Sequence, residues 1–156
     1  MSSLSITHKQ ALELLKKWPQ SEADFRHYLM SEAIMMGLAK KLGEDEVYWG
    51  MLGLLHDVDW ALTKEDTKEH GNKAEELLKK YGFDNEFIEA VQSHIYGYEE
   101  SLFFKDKKRT KKIEHALAAS ETLTGLIYAY ALIRQRKISD MEVNGLKKKF
   151  KDKRFA

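Results

Sequence analysis

Imidazole and carboxylate side chains gather in this chain at places where a helical protein rarely carries them. His56 and Asp57 stand side by side at the end of Val47 to Leu55, a run that is apolar nearly all round. A helix of that kind is buried, and polar residues seldom follow one so closely without a reason. His27 lies earlier, between two apolar stripes, and Glu121 lies among Ala118, Ala119, Leu123 and Leu126. A carboxylate in such a setting is costly unless it is paired or bound to metal. Two imidazoles and two carboxylates drawn from three helices could hold one divalent ion. Imidazole suits Zn, Fe, Ni and Cu, while carboxylate suits Mg and Mn, so the mixture points to Mn, Fe, Co, Ni or Zn, with Mg admissible and Ca not. His70 and His94 fall at helix ends and could add a second ion about 3.5–4 Å from the first. A single histidine carries little weight, being common at surfaces and in satisfied cores. His8 and His115 join no set and are read as structural; position 115 is about 240° around its helix from position 121.

Helices must position these groups. The 156 residues are enough for one domain that buries about 70% of its unfolded surface. The chain is 43% apolar and 33% charged, with 9 Gly and 1 Pro. That excludes collagen-like and disordered classes and leaves too few turn residues for a sandwich or barrel. A net charge of +1 gives no strong field toward nucleic acid or membrane. The absence of cysteine excludes disulfides, thiolate metal sites and a cysteine nucleophile. Lys9, Glu13, Lys16 and Lys17 interrupt the N-terminal pattern, so no secretory signal is visible. The longest apolar run, Leu126 to Ile133, is far short of the ~20 residues of a membrane span. The expectation is a cytoplasmic protein with no membrane partner.

The periodicity predicts six to seven helices and no strand. The first covers 5–17 and stops at Trp18-Pro19. Ser21, with Asp24 three residues on, starts a helix over about 22–42 that ends at Gly43. Its apolar stripes are Phe25, Leu29, Ala33 and Met36, and beside them Met30, Ile34 and Leu38. Glu44-Asp45-Glu46 opens the buried helix, and 60–69 reads as a polar loop. Helices follow over 71–80 and, capped by Asp84, over 85–95. Residues 96–111 read as a lysine-rich loop and 112–135 as a long helix. Ser139 or Asp140 caps a last short helix through Phe150. Met30, Met35, Met36 and Met51 read as core filler.

The ordered set His27, His56-Asp57, His70, His94 and a late acidic residue resembles the HD-domain superfamily of metal-dependent phosphohydrolases. Leu54-Leu55-His56-Asp57-Val58-Asp59 looks like its central motif. The stretch Ala116 to Ile127, ALAASETLTGLI, and KKKFKDKRFA from Lys147 to Ala156 are similar to a branch of uncharacterised bacterial HD hydrolases. The resemblance implies an all-α HD-like bundle over a single domain, 1–156. It implies His27, His56, Asp57 and Glu121 as ligands of a first ion. It implies His70 and His94 as ligands of a second, with Asp57 bridging, and Asp57, His70 and His94 as catalytic groups. Two departures stand out. The pattern has Asp where this chain has Glu121, whose extra methylene moves the carboxylate by about one C–C bond. Relatives in this branch also continue past the FKDK segment, so the chain is expected to lack a closing helix. Tyr128, Leu132 and Ile133 would then be partly uncovered, or hidden in a homodimer.

The implied chemistry is hydrolysis of a small phosphate ester or nucleotide by a metal-activated water. Arg26, Lys64 and Lys68 are the candidate phosphate binders. Two alternatives remain: a catalytically degenerate metal-binding HD module with a regulatory or partner-binding role, and a di-iron oxygenase. Asp59 and Trp60 either line the pocket or end the helix. The basic clusters Lys105–Lys112 and Lys147–Arg154 read as solvated faces. Nucleic acid is not the expected substrate; were it one, those clusters are where its phosphates would run.

Overall fold

Capping side chains set where the helices begin. The computed structural model describes residues 4–135 and 137–152, so Lys153 and Arg154 of the last basic cluster lie outside the described residues. Thr7 and Gln10 cap each other at the start of α1, His8–Leu15. Ser21 and Asp24 do the same for α2, Glu22–Leu42, with bonds of 3.0 and 3.1 Å. Gly43, at φ 72°, ends α2 in the left-handed region that glycine enters without penalty. Asp45 accepts from the Val47 and Tyr48 amides and opens α3, Glu46–Leu55. Asp84 accepts from Phe87 and opens α6, Asn85–Gln92. Each such cap contributes about 1 kcal/mol. The remaining elements are α4 (Trp60–Thr63), α5 (Asn72–Lys80), α7 (Lys112–Arg134) and α8 (Val143–Phe150). Short 3-10 turns lie at Thr67–Glu69, Ser93–Ile95 and Ile138–Asp140. Among the described residues the fold is all-α with no strand, as the periodicity predicts.

The chain, read above as one domain, divides into two compact units, Met1–Ser120 and Glu121–Ala156. In the first, α3 packs against α1, α2 and α6, and α5 against α6. Leu14, Leu15, Tyr28, Met35, Leu52, Leu54, Leu55, Leu78 and Phe87 are essentially inaccessible and form the core. Each buried side chain of this size contributes roughly 1.5–3 kcal/mol. Helices α2 and α3 meet backbone to backbone: a methyl group on Gly53 would lie 2.7 Å from the Ser31 carbonyl oxygen. In the second unit the Tyr130 hydroxyl lies against Gly145, and the Arg134 guanidinium covers the Tyr130 ring at 5.3 Å and donates to the Asp140 carbonyl. Tyr128, Leu132, Ile133, Ile138, Val143 and Phe150 are exposed.

Several sequence expectations are corrected. The buried face of α2 is Tyr28, Ser31, Met35 and Ala39, while Leu29, Ala33 and Met36 are exposed. Apolar residues surround most of that helix, so period alone picks no face; the small Ser31 does, where the backbone of α3 approaches at Gly53. Val47 is exposed, and burial on α3 starts at Trp49. The 60–69 segment holds α4 and a 3-10 turn rather than an open loop. Ser139 and Asp140 sit in the Ile138–Asp140 turn, and Glu142 precedes α8 without a side-chain cap. Helix α7 is long and apolar enough, by length and composition, to cross a membrane. Its best 18-residue window has a mean hydropathy of 1.4 and is 22% buried. Counting uninterrupted apolar residues missed this, because Glu121 and scattered small polar residues break the run without making the helix polar.

Candidate metal centre

The close approach of α2 to α3 places His27 beside the end of α3, where His56 and Asp57 enter a tight turn. The Trp60 amide bonds the Asp57 carbonyl at 2.9 Å and starts α4. His70 lies just before α5, and His94 lies in the 3-10 turn that follows α6. Five of the residues singled out in the sequence therefore meet at one place.

Asp57 is the hub. Its Oδ2 lies 3.6 Å from His27 Nε2 and 3.5 Å from His56 Nε2. Its Oδ1 lies 3.3 Å from His70 Nε2 and 3.2 Å from His94 Nε2. Within each pair the two Nε2 atoms are 3.0 Å apart. Two groups of potential metal ligands result, His27–His56–Asp57 and Asp57–His70–His94, sharing one carboxylate.

The second nitrogen of each ring decides what the first can do. His56 Nδ1 is 2.7 Å from the Gly53 carbonyl, and His94 Nδ1 is 2.6 Å from the Val91 carbonyl. A carbonyl only accepts, so both Nδ1 atoms carry protons, and in the neutral ring Nε2 offers a lone pair. His70 Nδ1 meets the carboxylate of Asp59 at 2.9 Å. A lone pair on His56 or His94 that faces a second ring nitrogen at 3.0 Å needs a proton or a cation between them. Metal–nitrogen bonds of about 2.0–2.1 Å put neighbouring donors about 2.9–3.4 Å apart, close to the spacing seen here. The donor set thus fits divalent metal on its own geometry.

Electrostatics divide the two groups. Burial lowers the His56 pKa to about 4, against the pull of Asp57, so this ring is neutral near pH 7. Burial also acts against charge on His70, but hydrogen bonds to Asp57 and Asp59 outweigh it and raise its pKa to about 10. Burial would push the Asp57 carboxyl up; the imidazoles around it, His56 first and then His70 and His94, instead hold it well below the usual carboxylate range.

Other sequence candidates fall elsewhere. Glu121 is half-buried, opens the second unit and belongs to neither ligand group. Arg26 on α2, Lys64 at the end of α4 and Lys68 in the following turn are exposed. His8 pairs with Glu32 at 2.8 Å, and His115 is exposed. Trp60 meets the His70 ring edge-on at 5.5 Å, so it borders the site. Two participants were not assigned by the sequence reading. Asp59, undecided there, is fully buried against His70. Arg109, read as part of a solvated basic face, is half-buried and donates to the His94 carbonyl at 2.6 Å. The Asp-x-Asp spacing after His56 was the available signal for the first; the lysines around Arg109 hid the second.

Comparison with known proteins adds a family. A family model described as "HD domain" matches residues 24–140. Among curated proteins, Ribonuclease Y of Helicobacter pylori (strain ATCC 700392 / 26695) is 38% identical over 71 residues, covering 45% of this chain and 13% of that protein. Ribonuclease Y of a Nitratiruptor species is 38% identical over 63 residues, 40% of this chain and 12% of the relative. That of Staphylococcus epidermidis (strain ATCC 12228 / FDA PCI 1200) is 44% identical over 57 residues, 36% and 11%. The chain thus spans only a small part of the curated relatives it matches. No solved structure matches significantly.

Proposed function

The chain belongs to the HD-domain family, and from that premise we propose that it is a metal-dependent phosphohydrolase whose metal would be held by the two ligand groups that share Asp57. The observation that carries this reading is the shared carboxylate, with each oxygen facing its own pair of histidine Nε2 atoms. Glu121, at the position where the resemblance puts an aspartate, is proposed as a further ligand of the His27–His56 side. Divalent metal, when bound, supplies Lewis acidity: it lowers the pKa of a water and offsets charge on phosphoryl oxygens.

The protein's own residues do the rest. Asp57 fixes the separation of the two histidine pairs. His56 offers a neutral, fully buried nitrogen near pH 7 and so needs to lose no proton there. His70 and His94 present Nε2 toward Asp57 from a buried wall, while His27 leaves the opposite side more open. Arg26, Lys64 and Lys68 are exposed cations that would meet substrate phosphate from solvent.

The substrate is a phosphate ester. The relatives carry the name Ribonuclease Y, which favours a second reading: the ester is an RNA phosphodiester rather than the small phosphate or nucleotide expected from the sequence. The test is turnover of a phosphomonoester, a dinucleotide and an RNA oligonucleotide with added Mn, Fe, Co, Ni, Zn or Mg. We expect hydrolysis with a transition metal. Cleavage of RNA in preference to the other two would establish the second reading. Full ion loading without turnover of any of them would overturn the enzyme assignment.

A further inference from the structure

The three histidines whose Nδ1 contacts are seen differ in what holds them. His56 and His94 are oriented by backbone carbonyls, whereas His70 is oriented by a side chain, Asp59. Asp59 is 0% exposed, and its carboxylate makes three contacts. Its Oδ1 faces His70 Nδ1 at 2.9 Å, and its Oδ2 accepts from the Gly71 amide at 2.7 Å and the Ala74 amide at 3.0 Å. Both amides belong to the first turn of α5 or the residue before it, and neither can do anything but donate. They fix Oδ2 as an acceptor and so fix which way the carboxylate lies.

The anchor itself is rigid. Gly71 has φ +80°, its carbonyl accepts from Gln92 Nε2 at 3.1 Å, and a methyl group there would meet Ile95 Cδ1 at 2.4 Å. Trp60 closes the other side of the His70 ring. With the carboxylate pinned by α5, the proton of His70 in the ligating ring sits on Nδ1, and its Nε2 lone pair points at Asp57 and His94.

We propose that Asp59 is the positioning residue of the Asp57–His70–His94 group, coupling the start of α5 to the tautomer and aim of His70, and so setting whether the second ion binds. This rests on the metal-centre reading above. A carboxylate behind a ligating imidazole also raises its basicity, and losing such a partner typically weakens metal binding about 10–100-fold.

Asp59→Asn separates this role from packing, because the two side chains have nearly the same shape. The Gly71 and Ala74 amides demand the amide oxygen, so the NH2 group must face His70 Nδ1. That nitrogen then has to accept, the ring proton moves to Nε2, and the lone pair facing Asp57 is lost.

The experiment titrates wild type and Asp59→Asn with Zn2+ by calorimetry, with ion content measured per chain. It also records histidine 15N spectra of the Zn2+-loaded wild type. The expected result is two ions on wild type and, in the variant, at least tenfold weaker binding of one ion with the other unchanged. In the loaded wild type His70 should carry its proton on Nδ1. Affinities for both ions unchanged from wild type in the variant would overturn the proposal. So would a wild-type His70 protonated on Nε2, a measurement that decides the matter even if the variant does not fold. Wild type that binds no Zn2+ would overturn the metal-centre reading itself; two ions on wild type and on the variant alike would overturn only the role of Asp59.

Discussion

Around Asp57 Oδ2 stand His27, with 26% of its side chain exposed, and His56, with none; around Oδ1 stand His70 and His94, with 9% and 2%. The open side is held by helix packing: His27 rides on α2, His56 ends α3, and Gly53 lets the two helices touch. The closed side is held by hydrogen bonds from outside its own ligands: Asp59 to His70, Gln92 to Gly71, and Arg109 to the His94 carbonyl. Burial pushes the His56 pKa down, while Asp57 and Asp59 push that of the buried His70 up. Similar ligands thus acquire opposite proton behaviour from their surroundings.

The largest effect should come from the one residue common to both sides. Asp57→Ala should lose both ions, weakening metal binding by more than the ~10–100-fold that outer partners command. His56→Ala should abolish binding on its side. His70→Ala and His94→Ala should lower turnover more than they lower the tightest metal affinity, if the closed side is the weaker site. Metal content per chain and turnover, measured across the four variants, would show this. An Asp57→Ala protein with unchanged metal content would sink the site assignment.

Two glycines allow each side to be disturbed without touching a ligand. In Gly53→Ala the new methyl meets backbone of α2, which must shift; the cost should be about 1–3 kcal/mol. It should spread His27 from His56 and weaken the open side. In Gly71→Ala the nearest obstacle is the end of the Ile95 side chain, which can move, but the positive φ remains strained. That cost should be about 1–2 kcal/mol and should fall on the closed side. Chemical denaturation paired with Zn2+ titration tests the assignment. The same loss of affinity on both sides in either variant would show that the two are not separately supported.

Much of this was legible in the sequence because helices declare themselves by period and by caps. Ser21, Asp24, Gly43 and Asp84 act at their expected positions. Of the six residues selected together as a metal set, His27, His56, Asp57, His70 and His94 converge in one place, and Glu121 belongs to neither ligand group. What was not legible depends on tertiary approach. The inward face of α2 is chosen by the smallness of Ser31 and of Gly53 opposite it, a property that a hydrophobic stripe does not encode. Asp59, undecided in the sequence, and Arg109, read with a solvated basic face, gain their partners only when α5 and the 96–111 segment fold against the site.

Metal-free protein should show the contrast as opposite responses to pH. His70 has a folded pKa raised to about 10 from 6.5, so its contribution to stability is fully present below pH 6.5 and is lost as pH rises toward 10. His56 has a folded pKa lowered to about 4, so the folded state resists its protonation, and stability is lost as pH falls from 6.5 toward 4. His70→Gln should flatten the alkaline limb and His56→Gln the acidic one. Thermal melts across pH 4–10 in the presence of chelator check this. Both variants altering the same limb would contradict the assignment of charge to the two sides.

The smallest effect is expected at Glu121, and it tests whether the open side has a ligand beyond those that converge around Asp57. The resemblance places an aspartate there, and the chain has a side chain longer by one methylene. A flexible carboxylate can still reach an ion with altered coordination, so Glu121→Asp should hold or slightly improve metal affinity. The change should stay within about tenfold, or ~1.4 kcal/mol. Glu121→Ala removes the donor altogether and should weaken only the tighter-binding ion on the His27–His56 side, leaving the ion at His70–His94 in place. Zn2+ calorimetry on the two variants separates the cases. If alanine is as well tolerated as aspartate, Glu121 is not a ligand, and its half-buried place on α7 then needs another explanation. If aspartate is worse than alanine, a carboxylate at the shorter reach obstructs the site, and the departure from the family pattern at this position is itself an adaptation of this chain.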